Sequence, residues 1–299
     1  MSILAEIAYP RIDPILLDLG KLKIRWYGVS YVLAFVLAYL VLRMLAKRGR
    51  LPVAVDRVAD VLFWGVLGVF IGGRLGYVLF YMIPFGEFEW GKIIRVWDGG
   101  MSFHGGLLGV VIAYVLWARK ARIPFGDLGD GLALATAPGL LCVRLANFIN
   151  AELYGTVTDV AWGMRFPNYE NGPERWEALG KPMVPGVRHP SQLYEAFAEG
   201  LLLFFVLRWL MLRKGLGGGR IAGVFLIGYG LIRFALEFVR LPDKQLGRYA
   251  LGLTQGQLLS SIMIVLGLIT LYVCHKRRSK PGHYDPETGK RLPSEGAFA

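Results

Sequence analysis

Four polar side chains break into an apolar stretch near the middle of the chain: Arg144, Asn147, Asn150 and Glu152, within the run from Arg144 to Gly155. A charge at the centre of a membrane helix costs about 2.5–3.5 kcal/mol on insertion scales, so such residues face a site or a partner. Arg144 and Asn147 are three apart and share a helix face. A guanidinium fork matches a phosphate through two parallel N–H groups, and asparagine amides donate to phosphate or ester oxygens. A second stripe follows, where Tyr229, Arg233, Glu237 and Arg240 recur at i, i+4, i+8 and i+11. Arg233 would join Arg144 and Asn147 in an anion seat. The same residues also fit a blander account, in which the first group is a satisfied polar helix end and Arg233 and Glu237 neutralise each other at i,i+4 spacing. Leucine at both positions would serve insertion better, which favours a functional stripe.

His104 sits in Gly99-Gly100-Met101-Ser102-Phe103-His104-Gly105-Gly106, a run that opens an apolar segment. An imidazole with an ordinary pKa near about 6.5 suits proton transfer at neutral pH, and the flanking glycines permit close approach of a ligand. A lone histidine is more often a hydrogen-bonded bystander than a catalyst. The other histidines are not expected to form a metal set with it, His275 and His283 lying on the far side and His189 in the external loop, and no P-loop, HExxH or GxSxG motif occurs. Neither a metal nor a cofactor is expected.

The elements that must hold these groups are membrane helices. With 55% hydrophobic residues and a mean hydropathy of +0.45, the 299-residue chain is too apolar for an ordinary soluble domain. Apolar spans are expected at 26–46, 58–82, 102–119, 127–150, 191–212, 221–239 and 257–274, which gives an all-α polytopic bundle of about seven transmembrane helices. Basic clusters follow every odd span, at Arg43 to Arg50, Arg119 to Arg122, Arg213 to Arg220 and Lys276 to Arg278. The positive-inside preference then places the N-terminus outside and the C-terminus in the cytoplasm. The same clusters account for the net charge of +12, so nucleic acid is not an expected partner.

Residues 1–25 lack a continuous apolar core and are expected to lie along the interface rather than to form a signal peptide. Residues 151–190, rich in Pro and Gly, are expected to form an irregular external cap. A single integral membrane domain is expected over 1–275, with a disordered polar cytoplasmic tail over 276–299. Gly68, Gly72 and Gly76 repeat at every fourth position, a spacing that lets helix backbones approach in lipid. Arg74, among them, is read either as a structural ion pair or as part of a substrate cavity. The cysteines, Cys142 and Cys274, lie in apolar segments and offer neither a disulfide framework nor a CxxC site. Nothing in the sequence signals an oligomeric state.

Taken together, these motifs resemble the bacterial prolipoprotein diacylglyceryl transferase family. The run beginning at Arg144 is similar to that family's signature, an arginine followed by Asn-Phe-x-Asn-x-Glu-x-x-Gly, although Val143 stands where the signature usually has glycine. The triplet Trp26-Tyr27-Gly28, the run from Arg95 to Gly106, the run from His189 to Glu195 and the segment from Phe225 to Arg240 are further landmarks in the expected order. The resemblance implies transfer of the diacylglyceryl group of phosphatidylglycerol to the lipobox cysteine of a prolipoprotein, in the bacterial cytoplasmic (inner) membrane with the site toward the external side. For that reaction His104 is expected to act as general base, Arg144 and Arg233 as phosphate clamps, and Tyr27, Asn147, Glu152, Gly155, Tyr229 and Glu237 to bind around the headgroup. A transporter or binding protein for an anionic lipid or solute is the rival from another class, since the same arginines could line a permeation path. No internal repeat supports it.

Overall fold

The computed structural model describes residues 7–10, 12–20, 22–84, 89–95, 99–167, 184–241 and 252–293. Residues 96–98, 168–183 of the expected cap and 242–251 of the expected loop lie outside the described residues.

Helix dominates, because long apolar runs must satisfy their own backbone groups within the segment. The helices are α1 (Trp26–Lys47), α2 (Val58–Tyr77), α3 (Trp90–Ile94), α4 (Phe103–Ala121), α5 (Phe125–Ile149), α6 (Ser191–Glu195), α7 (Leu203–Leu212), α8 (Arg220–Leu236) and α9 (Gln255–Lys276). A π-helical segment, Val78–Met82, extends α2, and another, Ala196–Leu202, joins α6 to α7. Sheet is slight. Strands β1 (Ile7–Ala8) and β4 (Met164–Arg165) pair in parallel, and β2 (Ile15–Leu19) and β3 (Leu22–Arg25) form a hairpin.

Among the described residues, four helical stretches are long and apolar enough to cross a membrane: Trp26–Lys47, Val55–Met82, Phe125–Ile149 and Gln255–Lys276. The expected third, fifth and sixth spans are also helical: α4 carries Arg119 and Lys120 in its last turn, the fifth span carries Glu195, Glu199 and Arg208, and α8, in the sixth, is 17 residues long. Large apolar side chains such as Val32, Phe35, Phe70, Leu107, Leu116, Leu268 and Tyr272 point outward, as lipid contact requires and water would not favour.

The chain divides into two compact units, one of residues 1–41 and 129–281 and the other of residues 42–128 and 282–299. In the second, α2 and α4 meet backbone to backbone. A Cβ at Gly72 would fall 2.6 Å from Gly109 Cα, and one at Gly76 would fall 2.6 Å from Gly105 Cα. The fourfold glycine spacing on α2 thus finds its partner on α4. Gly105, expected to admit a ligand, is occupied by this packing instead. Ser102 caps α4 by accepting from Gly105 N at 3.2 Å, so the run around His104 is a helix start rather than a flexible loop.

The polar segment after α9 folds back in this unit, in place of the disorder expected from its composition. Tyr284 is 2% exposed and donates to Asp127 Oδ2, while its own N–H donates to Gly49 O at 3.0 Å. Asp285 Oδ1 accepts from Glu287 N and Thr288 N at 2.9 and 2.8 Å, which closes the turn that returns the chain to the Tyr284–Arg291 bridge. One buried aromatic anchor and one Asx-type turn suffice where no apolar period exists.

In the first unit, α8 and α9 approach through small residues. A Cβ at Gly267 would fall 2.8 Å from Gly223 O, and one at Gly230 would fall 2.9 Å from Ser260 O. Asp130, on α5 and fully buried, caps α8 by accepting from Gly219 N and Ala222 N, both at 2.8 Å. Tyr9, Phe148, Ala151, Phe166 and Val184 form an apolar cluster that anchors the end of α5, with the Tyr9 hydroxyl donating to Phe148 O.

Candidate active site

The first unit gathers the two polar stripes around a carboxylate that the selection of site residues passed over. Glu195, fully buried at the end of α6, lies 2.9 Å from Arg144 Nε, 3.6 Å from Arg233 Nη1 and 2.9 Å from Arg240 Nη1. Glu199, in the π-helical segment and also fully buried, accepts from Arg144 Nε and Nη2 at 3.4 and 3.3 Å. Arg233 Nη1 reaches Glu237 Oε2 at 2.7 Å, the i,i+4 pair expected from spacing. Three guanidinium groups therefore meet three carboxylates, and the charges balance.

That balance differs from the open anion seat expected of Arg144 and Arg233. Its physical reason is the cost of a lone buried charge, which removal of one partner would expose as about 3–5 kcal/mol. The arginines are not consumed by it. Among the described residues, carboxylates engage Nε and Nη2 of Arg144 and Nη1 of Arg233 and Arg240, and each fork has further N–H donors. The Arg144–Glu199 hydrogen bonds are long, and a phosphate offers a better match to the same fork. Tyr229, one turn before Arg233 on α8, feels the charges of Glu199, Arg144, Arg233 and Glu195.

Glu237 sits at the end of α8 and accepts from Thr254 Oγ1 at 2.9 Å. Thr254 is the N-cap of α9, where it completes a capping box with Gln257. A Cβ at Gly256 would fall 2.6 Å from the Glu237 carboxylate, so glycine there lets the anion rest against the positive end of α9. Arg240 lies beyond the helix, which ends at Leu236, and arrives through a bridge with Gly155. At Gly155 a Cβ would fall 2.7 Å from His189 Cβ. The structure therefore places Gly155 in backbone pairing that delivers Arg240 to Glu195.

At the end of α5, Glu152 Oε1 accepts from Asn147 Nδ2 at 2.7 Å and from Asn150 Nδ2 at 3.3 Å, while Gln192 Nε2 donates to Glu152 O at 2.6 Å. Asn147 Oδ1, Asn150 Oδ1, Gln192 Oε1 and Glu199 Oε1 are buried and find no hydrogen-bond partner among the described residues. Buried acceptors left without donors call for an explanation, and the hydroxyls of a bound headgroup would supply one. Tyr27, at the start of α1, feels the charges of Glu152 and Arg144, and its hydroxyl accepts from Tyr31 Oη at 3.4 Å.

Beside this cluster, Tyr194 Oη accepts from Trp162 Nε1 at 2.7 Å and lies 3.2 Å from His189 Nδ1. Burial holds the His189 imidazole below its usual range. The structure thus brings together Tyr27, Arg144, Asn147, Glu152, Gly155, Tyr229, Arg233 and Glu237 in one unit. His104 belongs to the other, exposed on the first turn of α4. Glu195 and Glu199 had a signal in the sequence: they are carboxylates inside an apolar span, open to the same cost argument that singled out Arg144.

The family model described as prolipoprotein diacylglyceryl transferase matches residues 14–273. The chain is 46% identical over 273 residues to the phosphatidylglycerol–prolipoprotein diacylglyceryl transferase of Geobacter sulfurreducens, covering 91% of this chain and 99% of that protein. It is 45% identical over 282 residues to the protein of the same name from Rhodospirillum rubrum, covering 93% and 97%, and 43% identical over 275 residues to that from Methylococcus capsulatus, covering 91% and 99%. With its motifs in order along nearly the whole chain, this protein belongs to the prolipoprotein diacylglyceryl transferase family.

Proposed function

We propose that this chain transfers the diacylglyceryl group of phosphatidylglycerol to the cysteine thiol of a prolipoprotein lipobox, the first step of bacterial lipoprotein maturation. The observation that carries the reading is the buried cluster of Arg144, Arg233 and Arg240 around Glu195, in a chain whose relatives bear that activity in their names. In the reaction a thiolate sulfur forms a bond to the lipid carbon that carries the phosphate ester. The C–O bond breaks, glycerol phosphate leaves with the electron pair, and a thioether remains.

Two demands follow. A thiol with an ordinary pKa of about 8.5 must lose its proton, and the departing phosphate must be stabilised where water is scarce. His104 takes the proton in this reading. Arg144 and Arg233 turn their free N–H groups to the phosphate while Glu195, Glu199 and Glu237 hold the forks in place. Asn147 and Glu152, with Tyr27 and Tyr229, orient the headgroup, whose hydroxyls meet the unpartnered acceptors. Seven spans with the N-terminus outside and the C-terminus in the cytoplasm, the site facing outward in the cytoplasmic membrane, fit the basic clusters after each odd span. A single membrane domain over residues 1–275 belongs to the same reading.

The test offers radiolabelled phosphatidylglycerol and a lipobox peptide to the purified protein. A stable thioether adduct is expected, formed equally well in chelator. No adduct from wild type, with lipid merely bound or moved across vesicles, would replace the transferase reading by the transporter one.

A further inference from the structure

The unit built from residues 42–128 and 282–299 contains a cavity of about 420 Å³ that the transferase reading leaves unused. Among the described residues, four cationic side chains line it, Arg57, Arg122, Lys290 and Arg291, and no carboxylate does. Arg57 is paired with Asp60 at 2.9 Å, whereas Arg122, Lys290 and Arg291 make no ion pair among the described residues. We propose that this cavity binds a phosphate-bearing anion, carried by a lipid headgroup or free in solution. None of its lining residues is among those assigned to the transferase site.

An orientation signal explains cations near the end of a membrane helix, and a disordered tail would supply it as well as a folded one. It does not explain why this tail is pinned so that Lys290 and Arg291 return to a wall shared with Arg57 and Arg122. The pin is built: Tyr284 is held by Asp127, Val55 N donates to Pro286 O at 2.9 Å, and Gly289, at φ +67°, lies where a Cβ would come within 2.7 Å of Ala54 N. Gathering three unpaired cations costs repulsion that a bound anion relieves. Guanidinium and ammonium groups together suit phosphate, the first by its fork and the second as a point charge. Trp117, 5% exposed, adds an aromatic surface of the kind found at headgroup level. The volume falls within the range of about 300–1,000 Å³ of small-molecule sites, room for more than a bare ion.

The test uses the full chain in neutral detergent, stripped of lipid, in two arms. Radiolabelled inorganic phosphate is measured by equilibrium dialysis, and phosphatidic acid against phosphatidylcholine by native mass spectrometry. Wild type is compared with Arg122→Gln/Arg291→Gln and with the charge-preserving Arg122→Lys/Arg291→Lys. The glutamine pair should lose about tenfold or more in affinity at one saturable site, and the lysine pair should keep most of it. Loss in the lipid arm alone assigns a headgroup, loss in the phosphate arm alone a soluble anion, and loss in both the phosphate group from either source. Equal uptake by wild type and the glutamine pair in both arms overturns the proposal. Should the pair fail to fold, Lys290→Gln, on the exposed turn, is scored in the same way. Lipidation measured alongside keeps the two readings apart, since the glutamine pair should still lipidate while a wild type without adduct tells only against the transferase.

Discussion

Arg144 and Arg74 are both arginines inside apolar helices, and the contacts described for them differ in kind. Arg144 leans on the carboxylates of Glu195, in α6, and Glu199, in the π-helical segment after it, and in the proposed reading an incoming phosphate competes with them. Arg74, 6% exposed, donates to the backbone carbonyls of Ile93, Arg95, Gly99 and Gly100 at 2.5–3.0 Å, with its guanidinium over the Tyr77 ring. Carbonyls cannot leave without unravelling the segment they belong to. In the proposed reading Arg144 answers to a substrate, whereas the carbonyl contacts of Arg74 tie α2 to the segment that precedes α4.

The contrast can be broken by substitution. Glu195→Gln leaves Arg144, Arg233 and Arg240 short of their shared anion, and thermal unfolding in detergent should show a loss of about 3–5 kcal/mol. A variant as stable as wild type would deny Glu195 its central place. Arg144→Ala should cost roughly 10²–10³ in lipidation rate, about 2.7–4 kcal/mol, while the protein stays monodisperse and membrane-inserted. Arg74→Lys, by contrast, should act on stability first: charge-assisted hydrogen bonds contribute about 1.5–3 kcal/mol each, and an ammonium cannot reach all four carbonyls of Ile93, Arg95, Gly99 and Gly100. Normal unfolding with lost turnover would move Arg74 into the substrate cavity after all.

Smaller effects sharpen the picture. Thr254→Val removes both the α9 cap and a donor to Glu237, and should lower stability by about 1 kcal/mol without abolishing lipidation. For His189, burial favours the neutral ring, so below about pH 6.5 the unfolded chain takes up a proton that the folded chain resists. Its contribution is whole above that pH and declines as pH falls through it. Unfolding temperatures at about pH 7.5 and 5.5 should differ less for His189→Asn than for wild type.

Much of this was legible in residue order. Arg144, Asn147 and Glu152 announced themselves by interrupting an apolar run, and Arg233 and Glu237 pair as their spacing implied. Glu195 escaped selection because its importance lies in long-range partners, 45 and 51 residues away, that no local period reveals. The same holds for Tyr284, whose partner Asp127 is 157 residues distant, so the tail read as disordered. Gly105 was read for ligand access because its contact, Gly76 on α2, could not be inferred from the glycine run alone.

The interlock of α2 and α4 restricts motion as well as sequence. With Cα atoms of one helix set against those of the other at Gly72, Gly76, Gly105 and Gly109, neither can slide or roll without first pulling apart. Shear is closed to this pair. Any opening that admits a substrate must use joints where side chains, which can change rotamer, carry the contact.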